Sequence, residues 1–111
     1  MKDYLQDLNK AFESRVRLGI MSALMVNEGL DFNALKELLD VTDGNLASHT
    51  RALEGEKFIR VDKSFVGRKP NTRYSVTKEG RLAFERHLAA LERLVEEMRD
   101  PPSPELRRAG E

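Results

Sequence analysis

Gly67-Arg68-Lys69-Pro70-Asn71-Thr72-Arg73-Tyr74-Ser75-Val76-Thr77-Lys78-Glu79-Gly80-Arg81 is the stretch from which the fold of this 111-residue chain can be read. It holds, in order, a basic turn, a short alternating run and a helix start. Arg73-Tyr74-Ser75-Val76 has a period of two and reads as a strand, and Thr77 before a long helical pattern reads as its N-cap. The partner strand lies upstream over residues 58–65, where Phe58, Arg60 and Asp62 alternate with Ile59, Val61 and Lys63. The pattern predicts a hairpin with a long tip over 66–72. Pro70 and Asn71 fit its central turn positions, since Asn tolerates positive φ. Gly67 reads as a turn glycine and Gly80 as a close-packing one.

Working outward toward the N-terminus, the period changes from two to about 3.6. Thr42 opens a helix that ends at Gly55, with Leu46, Thr50 and Leu53 on its inner face and Val41 placed to staple onto Leu46. Asp40 and Val41 form a tight break. Before it, Asn33 is expected to cap a compact helix carrying Leu35, Leu38 and Leu39. Two short helices joined by so short a turn make a helix-turn-helix pattern. Leu30-Asp31-Phe32 reads as a brief edge strand. Ser14 caps a helix apolar over more than half its circumference (Val16, Leu18, Ile20, Met21, Leu24, Met25, Val26), which Gly29 is expected to end in a left-handed conformation. Leu5, Leu8 and Phe12 predict one further short amphipathic helix.

On the other side of the hairpin, a helix of about 22 residues runs to Asp100, where Pro101 and Pro102 stop it. Phe84, Leu88, Leu91, Val95 and Met98 follow spacings of 4, 3, 4 and 3, an a/d seam of about two heptads. Leu82 and Ala89 lie off the seam and are expected on the subunit's own core. A helix roughly 33 Å long exceeds what a core this small can cover, so its distal half is expected to pair with a second copy. Leu5 and Leu8 are expected to join that interface. The expected organisation is one domain over 1–100 and a loose tail over 101–111.

Lys and Arg total 19, as do Asp and Glu, so the net charge is zero. The total conceals a pattern. Residues 1–41 carry −2, residues 42–73 carry +3, residues 74–100 carry −1 and the tail is neutral. Within 63–73 stand Lys63, Arg68, Lys69 and Arg73 and no acid. Phosphate contacts supply most sequence-independent affinity for DNA, and a few well-placed cations suffice. A basic loop tip alone is more often merely solvated; beside a helix-turn-helix it becomes a docking geometry. The outer face of the second helix of the pair carries Asn45, Ser48 and His49, with Arg51 to one side. Asn pairs bidentately with adenine and Arg with guanine, and Ser serves several bases. Gly44 permits close approach, and Thr42 offers a hydroxyl near backbone N–H groups to a phosphate. Arg68, Lys69, Asn71 and Arg73 complete the expected DNA-contacting set.

Other chemistry finds little support. There are no cysteines and only two histidines, His49 and His87, so neither a disulfide framework nor a thiolate or clustered-imidazole metal site is expected. His87 is expected to be exposed or at an interface. No Gly-rich phosphate loop, paired carboxylates or cofactor motif is present, and the expectation is a non-enzyme without cofactor. No apolar run approaches the roughly 18 residues that span a bilayer, and Met1-Lys2-Asp3-Tyr4-Leu5-Gln6-Asp7 has no signal-peptide core. The expected location is cytoplasmic, on the nucleoid, without a membrane partner.

Three stretches carry a family resemblance: Ser14-Arg15-Val16-Arg17-Leu18-Gly19-Ile20-Met21; Thr42-Asp43-Gly44-Asn45-Leu46-Ala47-Ser48-His49 leading to Leu53-Glu54; and 67–81 as quoted above. From Phe12 to about Leu91, some 80 residues, the chain resembles winged-helix transcriptional regulators of the MarR/ArsR type, in particular the small, mainly prokaryotic winged helix DNA-binding domain family. Thr50 departs from the pattern, standing where a leucine usually follows the His. The resemblance implies a mainly α fold with a small β-hairpin, a winged helix-turn-helix with a long C-terminal dimerisation helix. It implies a homodimer that reads double-stranded DNA, with helix 42–55 in the major groove and wing 66–72 on backbone or minor groove. The metal-sensing ArsR branch uses ligands this sequence lacks. Whether a small-molecule or protein effector acts on it is left open. A winged helix that binds another protein, its wing incidental, is the alternative.

Overall fold

The computed structural model describes residues 1–99, so the stop at Pro101 and the tail over 101–111 lie outside the described residues. In chain order the elements are α1 (Lys2–Leu5), a 3-10 turn (Lys10–Phe12), α2 (Arg15–Met25), β1 (Leu30–Asp31), α3 (Phe32–Leu39), α4 (Asp43–Gly55), β2 (Ile59–Val66), β3 (Lys69–Val76) and α5 (Lys78–Arg99). The expected winged helix-turn-helix is present. The edge strand is real: β1 pairs antiparallel with β3, Leu30 opposite Tyr74, giving a sheet of order β1-β3-β2.

Capping explains most boundaries. Ser14 accepts from the Arg17 N–H and Thr42 from the Asn45 N–H. Thr77 Oγ1 accepts from the Gly80 N–H at 2.9 Å and donates to the carbonyls of Lys57 and Phe58. One hydroxyl thereby joins the end of the helix pair, the base of the hairpin and the start of α5. Gly80 is the close-packing glycine expected: a Cβ there would stand 2.0 Å from the Phe58 carbonyl oxygen.

Four local expectations are corrected. First, the residues over 2–12 form no single helix, because the Asn9 side chain accepts from the Ala11 N–H and starts a separate 3-10 turn. Second, α3 is capped by Asp31, which accepts from the Ala34 N–H at 2.8 Å, and Asn33 lies inside the helix. Third, α2 ends at Met25, and Gly29 has no positive φ. Its missing Cβ makes room for the Arg73 side chain, whose Nε would lie 2.7 Å from it. Fourth, the hairpin tip is short: Val66 pairs with Lys69 across a two-residue turn, Gly67-Arg68. Gly67 has φ +65° and Arg68 does not, the pattern of a type II′ turn whose twist suits a hairpin. Pro70 is therefore a strand residue opposite Phe65, at a register position where its missing N–H faces away from β2. β1, paired only at Arg73 and Tyr74, does not reach that edge.

The core centres on Phe12, Ile20, Met21, Leu24, Leu35, Leu46, Leu53 and Phe84, with α2 at its middle. Phe12 meets Phe84 edge-on at 5.1 Å and Phe58 at the same separation. Two polar residues are buried in it. Thr50 donates to the Ala47 carbonyl, which satisfies its hydroxyl within α4. His87, expected at a surface, is sealed between Phe12 and Phe84, and its Nδ1 accepts from the Asn9 N–H at 3.0 Å.

Candidate nucleic-acid interface

α4 presents Leu46, Thr50 and Leu53 inward, so its opposite face meets solvent as expected. Thr42, Asp43, Gly44, Asn45, Ser48 and Arg51 are exposed, and nothing lies within 4 Å of where a Gly44 Cβ would be. Asp43, an acid within this face, is held by Lys36 Nζ of α3 at 2.7 Å. His49 differs from its neighbours. It is half-buried, and its Nδ1 accepts from Arg17 Nε of α2 at 3.0 Å, which leaves Nε2 as its outward donor. Burial, and secondarily the Arg17 charge, hold the imidazole below its ordinary value of 6.5. Arg17 was not singled out by sequence reasoning. It stands two residues into a helix that no motif marked for function.

Beside α4 rises the β2–β3 ribbon. A cavity of about 250 Å³ lies between them, lined by Ala47, Thr50, Arg51 and Glu54 of α4 and by Val61, Lys63, Thr72 and Tyr74 of the ribbon. Burial holds the Tyr74 phenol above its ordinary range, with the nearby Thr50 hydroxyl opposing. Since side chains alternate faces and cross-strand partners share one, Val61–Tyr74, Lys63–Thr72 and Phe65–Pro70 all look toward α4. Lys69, Asn71 and Arg73 stand on the other face, with Arg68 at the turn. The ribbon thus divides the expected contact set. Lys63, part of the basic cluster but outside the expected contact set, is the ribbon cation facing α4; Lys69, Asn71 and Arg73 flank the ribbon from behind. Among the described residues none of Lys63, Arg68, Lys69 and Arg73 is in an ion pair, whereas Arg60 is paired with Asp62.

The seam on α5 is also divided. Phe84 is 1% exposed and belongs to the subunit's own core, which removes it from any interface; Leu88 is half-buried against that core. Leu91, Val95 and Met98 are exposed, as is Leu5, while Leu8 is half-buried. Leu82 and Ala89, expected inward, are outward; His87 and Ala90 are buried on the Phe84 side of the helix, and Ala83 is half-buried there. The base of α1 packs on the far half of α5, where Arg93 lies 4.9 Å over the Tyr4 ring. Among the described residues there is no group of three or more potential metal ligands, and no helix is long and apolar enough to cross a membrane.

Three packed helices followed by a basic ribbon with an exposed helix face beside it define a DNA-binding class of fold. Residues 16–95 match the model of the winged helix DNA-binding domain, and the chain belongs to that family. It is 39% identical over 79 residues to the uncharacterized protein MJ0432 of Methanocaldococcus jannaschii, covering 71% of this chain and 86% of that one. A transcriptional regulator homologue from Pyrococcus horikoshii OT3 shares the structure with a TM-score of 0.80 at 29% identity, covering 88% of this chain and 98% of that one. A MarR-family regulator from Silicibacter pomeroyi has the same fold, with a TM-score of 0.62 at 20% identity over 98% of this chain and 75% of its own. The family is one of transcriptional regulators rather than enzymes.

Proposed function

We propose that this chain is a homodimeric transcriptional regulator, cytoplasmic and associated with the nucleoid, that binds double-stranded DNA by sequence. The carrying observation is the exposed outer face of α4 next to a ribbon with four unpaired cations and no acid over 63–73. α4 enters the major groove, with Asn45 and Ser48 on base edges, Arg51 at the side, and Thr42 and Gly44 close to the backbone. His49 contributes through Nε2. The ribbon lies along the adjacent phosphates, and the exposed residues of α5 and Leu5 pair the subunits.

Selection of bound duplexes from a random pool tests this. A preferred site is expected, with half-sites about one helical turn apart. With about three phosphates neutralised per subunit, log K against log salt concentration should slope near −5. Retention without sequence preference, or without salt dependence, overturns the reading and favours a protein-binding winged helix.

A further inference from the structure

The tip of the ribbon carries apolar side chains that the fold does not use. Phe65 is 70% exposed and Val66 66%, the two facing opposite sides of the ribbon, and Pro70 stands across from Phe65. Isolated exposed apolar residues are ordinary on protein surfaces. Here an aromatic ring is held at the very end of a hairpin that a two-residue turn keeps narrow, next to Arg68 and Lys69. The same ribbon face that carries Lys63 and looks toward α4 carries Phe65.

We propose that the tip is a wedge: Phe65 enters the minor groove flanking the site read by α4 and partly unstacks a base step there. This rests on the DNA-binding reading above. The occupant follows from charge and shape. No acid lies between Lys63 and Arg73, so an anionic surface is favoured; a duplex also offers, between its base pairs, an apolar slot for the ring. Proteins that read the minor groove commonly insert an apolar side chain between base steps and bend the duplex away from it, and pyrimidine–purine steps yield most easily. Arg68 and Lys69, at the turn and just behind it, are positioned to hold the two phosphate strands that border the groove. The wing then contributes to site choice through deformability, at base pairs that α4 does not touch.

The test uses the full chain and duplexes selected from a random pool by the parent protein, carrying 2-aminopurine at the step where the wing falls. Binding by the parent is expected to raise 2-aminopurine fluorescence and to retard circularly permuted fragments as a bent duplex does. Phe65→Ala should weaken binding about tenfold and abolish both signals, and Phe65→Leu should restore most of them. Since the ring is exposed, the thermal midpoints of the variants should match the parent's. Phe65→Ala binding as tightly as the parent overturns the wedge and leaves the DNA-binding reading standing, as does a loss of affinity with bend and fluorescence retained. A parent that selects no duplex overturns the underlying reading, and the wedge with it.

Discussion

Lys57 and Asp40 both hold left-handed backbone, with φ of 65° and 52°, where a side chain costs what a glycine does not. Lys57 follows the C-cap Glu56 of α4 and turns the chain away: its N–H reaches the Glu54 carbonyl while the Phe58 N–H reaches back to Leu53. Gly55 is the last residue of α4, as expected, and the left-handed residue stands two positions beyond it. Lys57→Gly should therefore raise stability by about 0.5–1 kcal/mol, read as a higher midpoint in chemical denaturation. Gly80→Ala runs the other way. Its methyl has only the Phe58 backbone to push against, and a loss of about 1–3 kcal/mol is expected by the same measurement. The histidines give a pH dependence with a definite sign. His87 is held below 6.5 by burial, with the Glu13 charge opposing, and its Nδ1 must stay unprotonated to accept from Asn9. Its folded pKa is the lower one, so the unfolded chain takes up protons first as pH falls. Stability should be full above about pH 7 and decline as pH drops through 6.5 toward the folded value. His87→Gln should flatten that decline; an unchanged profile would place its source elsewhere.

Among elements, the wing separates what pattern alone conveys from what it does not. Arg68→Ala with Lys69→Ala should weaken binding to every sequence and reduce the salt slope, whereas Asn45→Ala should shift preference at particular base pairs; titrations against matched and altered duplexes distinguish the two. The existence, order and periods of both strands are legible in the sequence, because alternation and Thr77 are local signals. The turn is not, because Pro70-Asn71 and Gly67-Arg68 are both acceptable turn pairs and only strand register chooses between them. Choosing Gly67-Arg68 decides which face each basic residue takes, and so moves Lys63 to the front and Lys69, Asn71 and Arg73 to the back. The same limit applied to α5. Its heptad spacing is evident from the residues, but a seam that serves the subunit's core at Phe84 and solvent at Met98 has one continuous period. His49 and Arg17 meet across 32 residues, a contact no spacing rule contains.

For the whole molecule, the proposed pairing of two copies would rest on the far half of α5. Leu91→Asp with Val95→Asp should give a sedimentation coefficient of a monomer while the thermal midpoint at low concentration stays near the parent's, since neither side chain is buried in the subunit core. A parent that sediments as a monomer at high concentration would remove the pairing altogether. The zero net charge acts at this scale as well: a chain neutral in sum, with one acid-free run of cations over 63–73, should hold random DNA weakly and depend on base contacts and pairing for occupancy. The joint at Thr77 has a mechanical meaning. Because that hydroxyl and Gly80 fasten the root of α5 against Phe58, the ribbon and α4 are carried at the end of a rod whose other end lies near Met98. At 1.5 Å per residue the rod is about 33 Å long, so a tilt of about 10° at its far end, where the proposed pairing lies, would displace α4 by about 6 Å, nearly two base pairs. In the proposed dimer, pressure on the contact between copies alone would bring the two α4 helices into or out of step with the double helix, without altering a single residue proposed to touch it.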